Sequence, residues 1–241
     1  MFKDFDLPKN IDASRLRKVF QEKGRVEIPS FIMPEQAETL RNSLLVRSDW
    51  ALVINAGDKV YEIERQRFEK MTKQQTAELE ARVVNAGREG FQFRYEAIRS
   101  PDDEGERLKR DTLLDRFVTF MSSSSVLKFL SEITGNDRLE FADGQATAYS
   151  PGHFLTSHDD DVAGKGRQAA FVLGLSPKWK AEWGGLLMFH GDDGNIEEAF
   201  VPAMGALRLF AVPKLHSVSY ISPLAPEPRL SVTGWLRCHI N

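Results

Sequence analysis

With 241 residues, 41% of them apolar and 28% charged, the chain is long enough for one large folded core or two small ones. Lys and Arg number 32 against 35 Asp and Glu, a formal charge of −3, and the signs interleave, as in Glu62–Lys70 and Asp102–Asp111. No cationic stripe can follow a phosphate backbone, so nucleic acid is not an expected partner. Cys238 is the single cysteine, which excludes an internal disulfide; Met1–Asn10 has no apolar leader and no run approaches the roughly 18 apolar residues of a membrane span, so the expectation is a cytoplasmic protein without a membrane partner.

In chain order, Leu16, Val19 and Phe20 form an apolar helical stripe closed by Gly24. After a short strand-like stretch, Pro34 opens a second helix carrying Ala37, Leu40 and Leu44. Ala51–Asn55 and Phe91–Ile98 read as strands around a polar helix over Gln74–Asn85 that Gly87 ends. Ser100–Arg110, rich in Asp, Glu and Gly, reads as an exposed loop. Two helices follow, one with Leu113, Leu114, Phe117 and Phe120, the other capped by the serine run Ser122–Ser125 and carrying Leu127, Leu130 and Ile133 before Gly135. From Arg138 the pattern becomes short strands between Gly, Pro and Asp turns: Glu140–Tyr149, Ala169–Leu175, Gly185–Phe189, Ala206–Val212, Ser217–Ser222 and Arg229–Cys238. Without a low-complexity linker or a repeat, the chain reads as one domain, 1–241. It is α+β, with residues 1–135 giving mainly helical support and edge strands, and 138–238 a sandwich or jelly-roll core.

Every imidazole can be weighed, because the only histidines are His153, His158, His190, His216 and His239. In His158-Asp159-Asp160 the first and third residues face one side of an extended chain, so both can grip one ion. Two imidazoles and a carboxylate on one face of an octahedron leave three positions open, the arrangement of non-haem iron(II) oxygenases, and His216 in a distant strand-like stretch supplies the second imidazole. A rival triplet, His190-Gly191-Asp192, stands too close to His216 in sequence for more than a hairpin, and a Gly191–Asn195 turn accounts for it. His153 and His239 have no carboxylate at matching spacing and read as satisfied or exposed. Arg229 and Ser231 share one face of the last long strand, with Leu230, Val232 and Leu236 on the other. A 2-oxo diacid that chelates iron at one end needs a buried, fork-shaped cation for its far carboxylate. Arg229 offers that fork, and Ser231 adds a donor.

Five ordered segments carry a family resemblance over Arg138–Arg237. Tyr149-Ser-Pro-Gly152-His-Phe-Leu155-Thr-Ser-His158-Asp-Asp160 comes first. Trp183-Gly184-Gly185-Leu186-Leu187 and Pro202-Ala-Met-Gly205-Ala-Leu207 follow, before His216-Ser-Val218 and Arg229-Leu-Ser231-Val-Thr-Gly234-Trp235. Together they resemble the prolyl 4-hydroxylase-like branch of the iron(II)/2-oxoglutarate dioxygenases. The resemblance implies a double-stranded β-helix (jelly-roll) core, Fe(2+) held by His158, Asp160 and His216, and the 2-oxoglutarate tail held by Arg229, with Tyr149 hydrogen-bonding the co-substrate. It further implies O2 as oxidant and a prolyl residue of a protein, or a free proline-like molecule, as substrate; ascorbate is a candidate reductant that the sequence does not decide. Leu155 replaces the family's second tyrosine, and Leu186 stands where a polar residue often follows the paired glycines. A carboxylate at Asp160 leaves no halide position, which favours hydroxylation. Two other readings are a non-catalytic metal-binding jelly roll and a hydrolase or isomerase using another divalent ion; Arg229 and Ser231 count against both. Substrate choice is expected in the loops Gly57–Glu69, Arg99–Arg110 and Val162–Arg167.

Overall fold

The computed structural model describes residues 4–57 and 59–240, so Met1–Lys3 and Asp58 of the Gly57–Glu69 loop lie outside the described residues. Helix α1 (Ala13–Lys23) is capped by Asp12, whose side chain accepts the Arg15 N–H at 3.0 Å. Strand β1 (Arg25–Ile28) leads to α2 (Pro34–Leu45), which buries Ala37, Leu40 and Leu44. A hairpin of β2 (Ala51–Ala56) and β3 (Lys59–Glu64) precedes α3 (Arg65–Glu69) and α4 (Lys73–Glu89). Helix α4 begins with a Thr72–Gln75 capping box and runs through Gly87 to Gly90, two residues beyond the expected stop. Gly87 is accommodated inside the helix, where an added Cβ would lie 3.4 Å from the Phe154 ring.

After β4 (Phe93–Arg99) comes a correction: Glu104–Arg110, expected as loop, is helix α5. Asp103 caps it by accepting the Glu106 N–H at 2.8 Å. Its buried anchor is Arg107, which donates to the carbonyls of Pro101 (2.8 Å) and Asp102 (2.9 Å). The only large apolar residue of that helix, Leu108, is exposed, so no apolar stripe announces it. Helices α6 (Leu113–Met121) and α7 (Ser124–Thr134) are capped by Thr112 and Ser123, the latter within the expected serine run. Among the described residues no helix is long and apolar enough to cross a membrane.

The remaining strands are β5 (Phe141–Ala142), β6 (Gln145–Tyr149), β7 (Phe154–His158), β8 (Arg167–Gly174), β9 (Leu187–His190), β10 (Ile196–Phe200), β11 (Leu207–Ala211), β12 (His216–Val218) and β13 (Arg229–Arg237). A short 3-10 turn, Ala181–Trp183, stands before β9. The sheet runs β1-β11-β8-β13-β6-β4-β7-β12-β9-β10, with β2 and β3 added at β4 and β5 at β13. Strand β4 makes the corner, pairing β6 through Glu96–Arg99 and β7 through Phe93–Arg94. The result is the expected α+β fold with a jelly-roll core. Helices α1, α2, α6 and α7 pack on the back of β1, β11, β8, β13 and β6. There Leu230, Val232 and Leu236 join Phe117, Leu130 and Phe171 in the main apolar cluster. The alternate positions of β13, from Arg229 onward, face the front.

Candidate active site

Strands β7 and β12 pair so that His216 lies opposite His158, with ring centroids 4.1 Å apart. His158 Nε2 is 3.5 Å from Asp160 Oδ1 and His216 Nε2 is 3.4 Å from Asp160 Oδ2. One donor atom from each residue falls within 4.8 Å of the others. Asp160 arrives there by a turn. Strand β7 ends at His158, and Asp160 has φ 65°, so the expected side-sharing of an extended chain does not operate. The Nδ1–H of His158 donates to the Thr156 carbonyl (3.1 Å) and that of His216 to the Lys214 carbonyl (2.7 Å). Both tautomers are thereby fixed with the Nε2 lone pair turned toward Asp160.

Electrostatics put these groups in ligand form. Burial, aided by the neighbouring His158, pushes His216 down to about 4, so it is neutral near pH 7. Burial opposes the charge of Asp160, but His158, His216 and Arg167 together hold its carboxyl below the usual range. Arg167 donates to the Asp160 carbonyl at 3.1 Å and lays its guanidinium 3.6 Å over the Trp235 ring.

A cavity of about 490 Å³ opens on this cluster, walled by His158, Asp160, His216, Tyr149 and Arg229 among others. Arg229 is 4% exposed and sits opposite Tyr149 across β13 and β6, its guanidinium 5.3 Å over that ring. Its Nη1 donates to Ser231 Oγ at 3.3 Å, its Nε has no partner, and no carboxylate among the described residues pairs with it. Burial pushes its pKa down to about 10. Ser231 is not on the cavity wall; it stands behind Arg229 and shares its hydroxyl with Thr147 at 2.8 Å. Tyr149 is buried and stacks on Tyr95 at 5.3 Å, and burial raises its hydroxyl pKa.

The rival triplet stays apart: His190 Nε2 meets Ser217 Oγ at 2.7 Å, and Asp192 lies in the β9–β10 turn. His153 is buried and accepts the Ser150 N–H at 3.2 Å, and exposed His239 stacks on Phe141. Of the expected substrate loops, Val60, Val162 and Arg167 reach the cavity, whereas Arg99–Arg110 contributes nothing to it. Sequence reasoning missed the aromatic row Phe91, Phe93 and Tyr95, and also Gln145, Thr147 and Trp235. The signal was present for two of these, since Gln145 and Thr147 stand four and two residues before Tyr149 on one face of β6.

Fold and cluster thus define a jelly roll with a candidate two-histidine, one-carboxylate metal face and a buried, uncompensated arginine beside it. Residues 144–237 match the family model of the 2OG-Fe(II) oxygenase superfamily. Prolyl 3-hydroxylase OGFOD1 of Mus musculus is 31% identical over 115 residues, 44% of this chain and 20% of that protein. The chain therefore spans about a fifth of that relative's length. A prolyl-4-hydroxylase structure from Pseudomonas putida superposes with a TM-score of 0.60 at 18% identity, over 95% of this chain and 100% of that one. A Trichoplax adhaerens prolyl hydroxylase in complex with a hypoxia inducible factor oxygen degradation domain peptide gives 0.60 at 15% identity, over 93% and 88%. Over residues 144–237 the chain is similar to the 2OG-Fe(II) oxygenase superfamily, and over 115 residues it is similar to a prolyl hydroxylase of mouse.

Proposed function

We propose that the protein is an Fe(II)- and 2-oxoglutarate-dependent dioxygenase that hydroxylates a C–H bond of a prolyl residue or proline-like substrate, releasing succinate and CO2. His158, Asp160 and His216 are its metal ligands, and Arg229 binds the far carboxylate of 2-oxoglutarate. The observation that carries this reading is Arg229: a buried guanidinium with no anion beside it, on the wall of the cavity that holds the three donors. A buried charge without a partner is costly. A diacid whose other end reaches the metal face would remove that cost. The donor set fits as well, two imidazoles and one carboxylate, with no fourth donor clustered with them among the described residues.

When bound, iron(II) and 2-oxoglutarate supply the oxidising chemistry: the co-substrate is decarboxylated and one atom of O2 enters the substrate C–H bond. The chain's own residues bind, orient and shelter. Arg229 fixes the tail of the diacid, with Ser231 and Thr147 locking the guanidinium in place. The aromatic row Phe91, Phe93, Tyr95 and Tyr149 walls one side and keeps water from it. The prolyl part of the proposal is supported by the names of the relatives. A single-domain reading is supported by the helices, which cover the back of the sheet whose front carries the cluster. A cytoplasmic location is supported by the lone, buried and free Cys238.

The test is turnover of 2-oxoglutarate to succinate with iron(II) and O2, and a gain of one oxygen in prolyl peptides seen by mass spectrometry. His158→Ala should abolish succinate formation and His190→Ala should not. Succinate formation with zinc, or none from folded, iron-loaded wild type, would overturn the proposal.

A further inference from the structure

The front face of the sheet lays polar side chains in rungs. Across β6 and β13, Tyr149 stands opposite Arg229, Thr147 opposite Ser231, and Gln145 opposite Thr233. The first two rungs are tied together by the Arg229–Ser231 and Thr147–Ser231 hydrogen bonds. The third is not. Gln145 is 6% exposed and lines the cavity, yet its Oε1 has no hydrogen-bond partner. Buried amide oxygens are almost always satisfied, so an orphan on a cavity wall marks a place for a ligand. Two residues beyond Thr233, on the same face of β13, Trp235 also lines the cavity, and its indole N–H is buried without a partner.

On the function proposed above, the co-substrate falls short of this rung. Gln145 stands four residues from Tyr149, about 13 Å along the strand, whereas a five-carbon diacid spans about two residues' rise, ~7 Å. With its tail on Arg229, which rests on the function proposed above, 2-oxoglutarate ends short of Gln145. The group that meets Gln145 then belongs to the other substrate.

We propose that Gln145 orients that substrate, its Oε1 accepting a hydrogen bond from the secondary amide N–H on the C-terminal side of the prolyl or proline-like unit. The ligand class is a secondary amide, as in a peptide bond or carboxamide. Its N–H answers Gln145, and its carbonyl is the kind of acceptor that the Trp235 N–H lacks. A carboxylic acid or a tertiary amide has no N–H to give and is disfavoured.

Ligand-observed NMR titration tests this with two probe pairs: N-methylacetamide against N,N-dimethylacetamide, and N-acetyl-L-proline methylamide against its dimethylamide. Wild type should bind the N–H member of at least the simple pair about fivefold more tightly, the worth of one hydrogen bond. Gln145→Met should lose that preference while keeping its affinity for 2-oxoglutarate, and Gln145→Glu, which retains an acceptor oxygen, should keep the preference. Titrations run with and without zinc and 2-oxoglutarate separate the two proposals. Discrimination by a protein that binds no 2-oxoglutarate would sink the dioxygenase reading and leave the amide site standing. No discrimination by wild type, or the same discrimination by Gln145→Met, would overturn the inference about Gln145.

Discussion

His153 and His216 are both pushed down to about 4, the first by burial and the nearby Arg94, the second by burial and the nearby His158. Unfolding restores each to roughly 6.5, so below that pH the unfolded chain holds protons that the folded chain does not. Stability is therefore full above about pH 6.5 and falls toward about pH 4, each histidine contributing a slope of about 1.4 kcal/mol per pH unit. His153→Gln should remove about half of that slope, measured on metal-free protein by urea unfolding between about pH 7 and pH 4.5. An undiminished slope would place the acid sensitivity elsewhere. At this scale the candidate ligands were legible, because a chain with five histidines offers few combinations. The reason Asp160 reaches His158 was not. Only backbone angles reveal that a left-handed residue after the strand end does what strand alternation was expected to do.

Strands with one buried face announced themselves. On β13 the alternation of Arg229, Ser231 and Thr233 with Leu230 and Val232 separates cavity from core along one segment. Of the elements left unread, β3, α3, α5 and β10 lie at edges or on the surface, while β7, inside the sheet, is read only as an extended stretch at His158. At the edges Glu62, Glu64, Glu197 and Glu198 replace an apolar face, so neither period appears. The turn before β9 gives this scale its prediction. Gly184 has φ 75°, and an added Cβ would lie 1.9 Å from the Tyr220 carbonyl oxygen, whereas Gly194 in the β9–β10 turn has φ 79° with open space around it. Gly184→Ala should cost about 2–4 kcal/mol and Gly194→Ala only the backbone strain of about 1–2 kcal/mol. Chemical denaturation of the two variants checks the order. Equal costs would mean that the close approach at Gly184 relaxes freely.

Over the whole molecule, the two ends of the curled sheet meet through ions and not through backbone pairing. Arg25 of β1, 5% exposed, donates to Glu197 and to Glu198 of β10, both at 2.7 Å, and lies 4.9 Å over Phe189, whose ring is 6.1 Å from His216. Arg25→Met should destabilise the fold by about 1–3 kcal/mol. Glu197→Gln, at a more exposed partner, should cost distinctly less. Thermal unfolding distinguishes them, and an Arg25 variant as stable as wild type would show that packing alone closes the sheet. The curl brings β7, β12 and β13 around one cavity, and with them the three candidate metal donors and Arg229. The claim that this convergence is a co-substrate site is tested most directly by titrating 2-oxoglutarate anaerobically into iron(II)-loaded wild type, Arg229→Lys and Arg229→Ala, following the visible charge-transfer band. Leaving a sheltered carboxylate unpaired should cost about 2–5 kcal/mol, so Arg229→Ala should bind 2-oxoglutarate roughly thirtyfold or more weakly, with Arg229→Lys in between and iron binding intact in all three. Equal affinity in a well-folded Arg229→Ala protein, or no band in wild type, would contradict it.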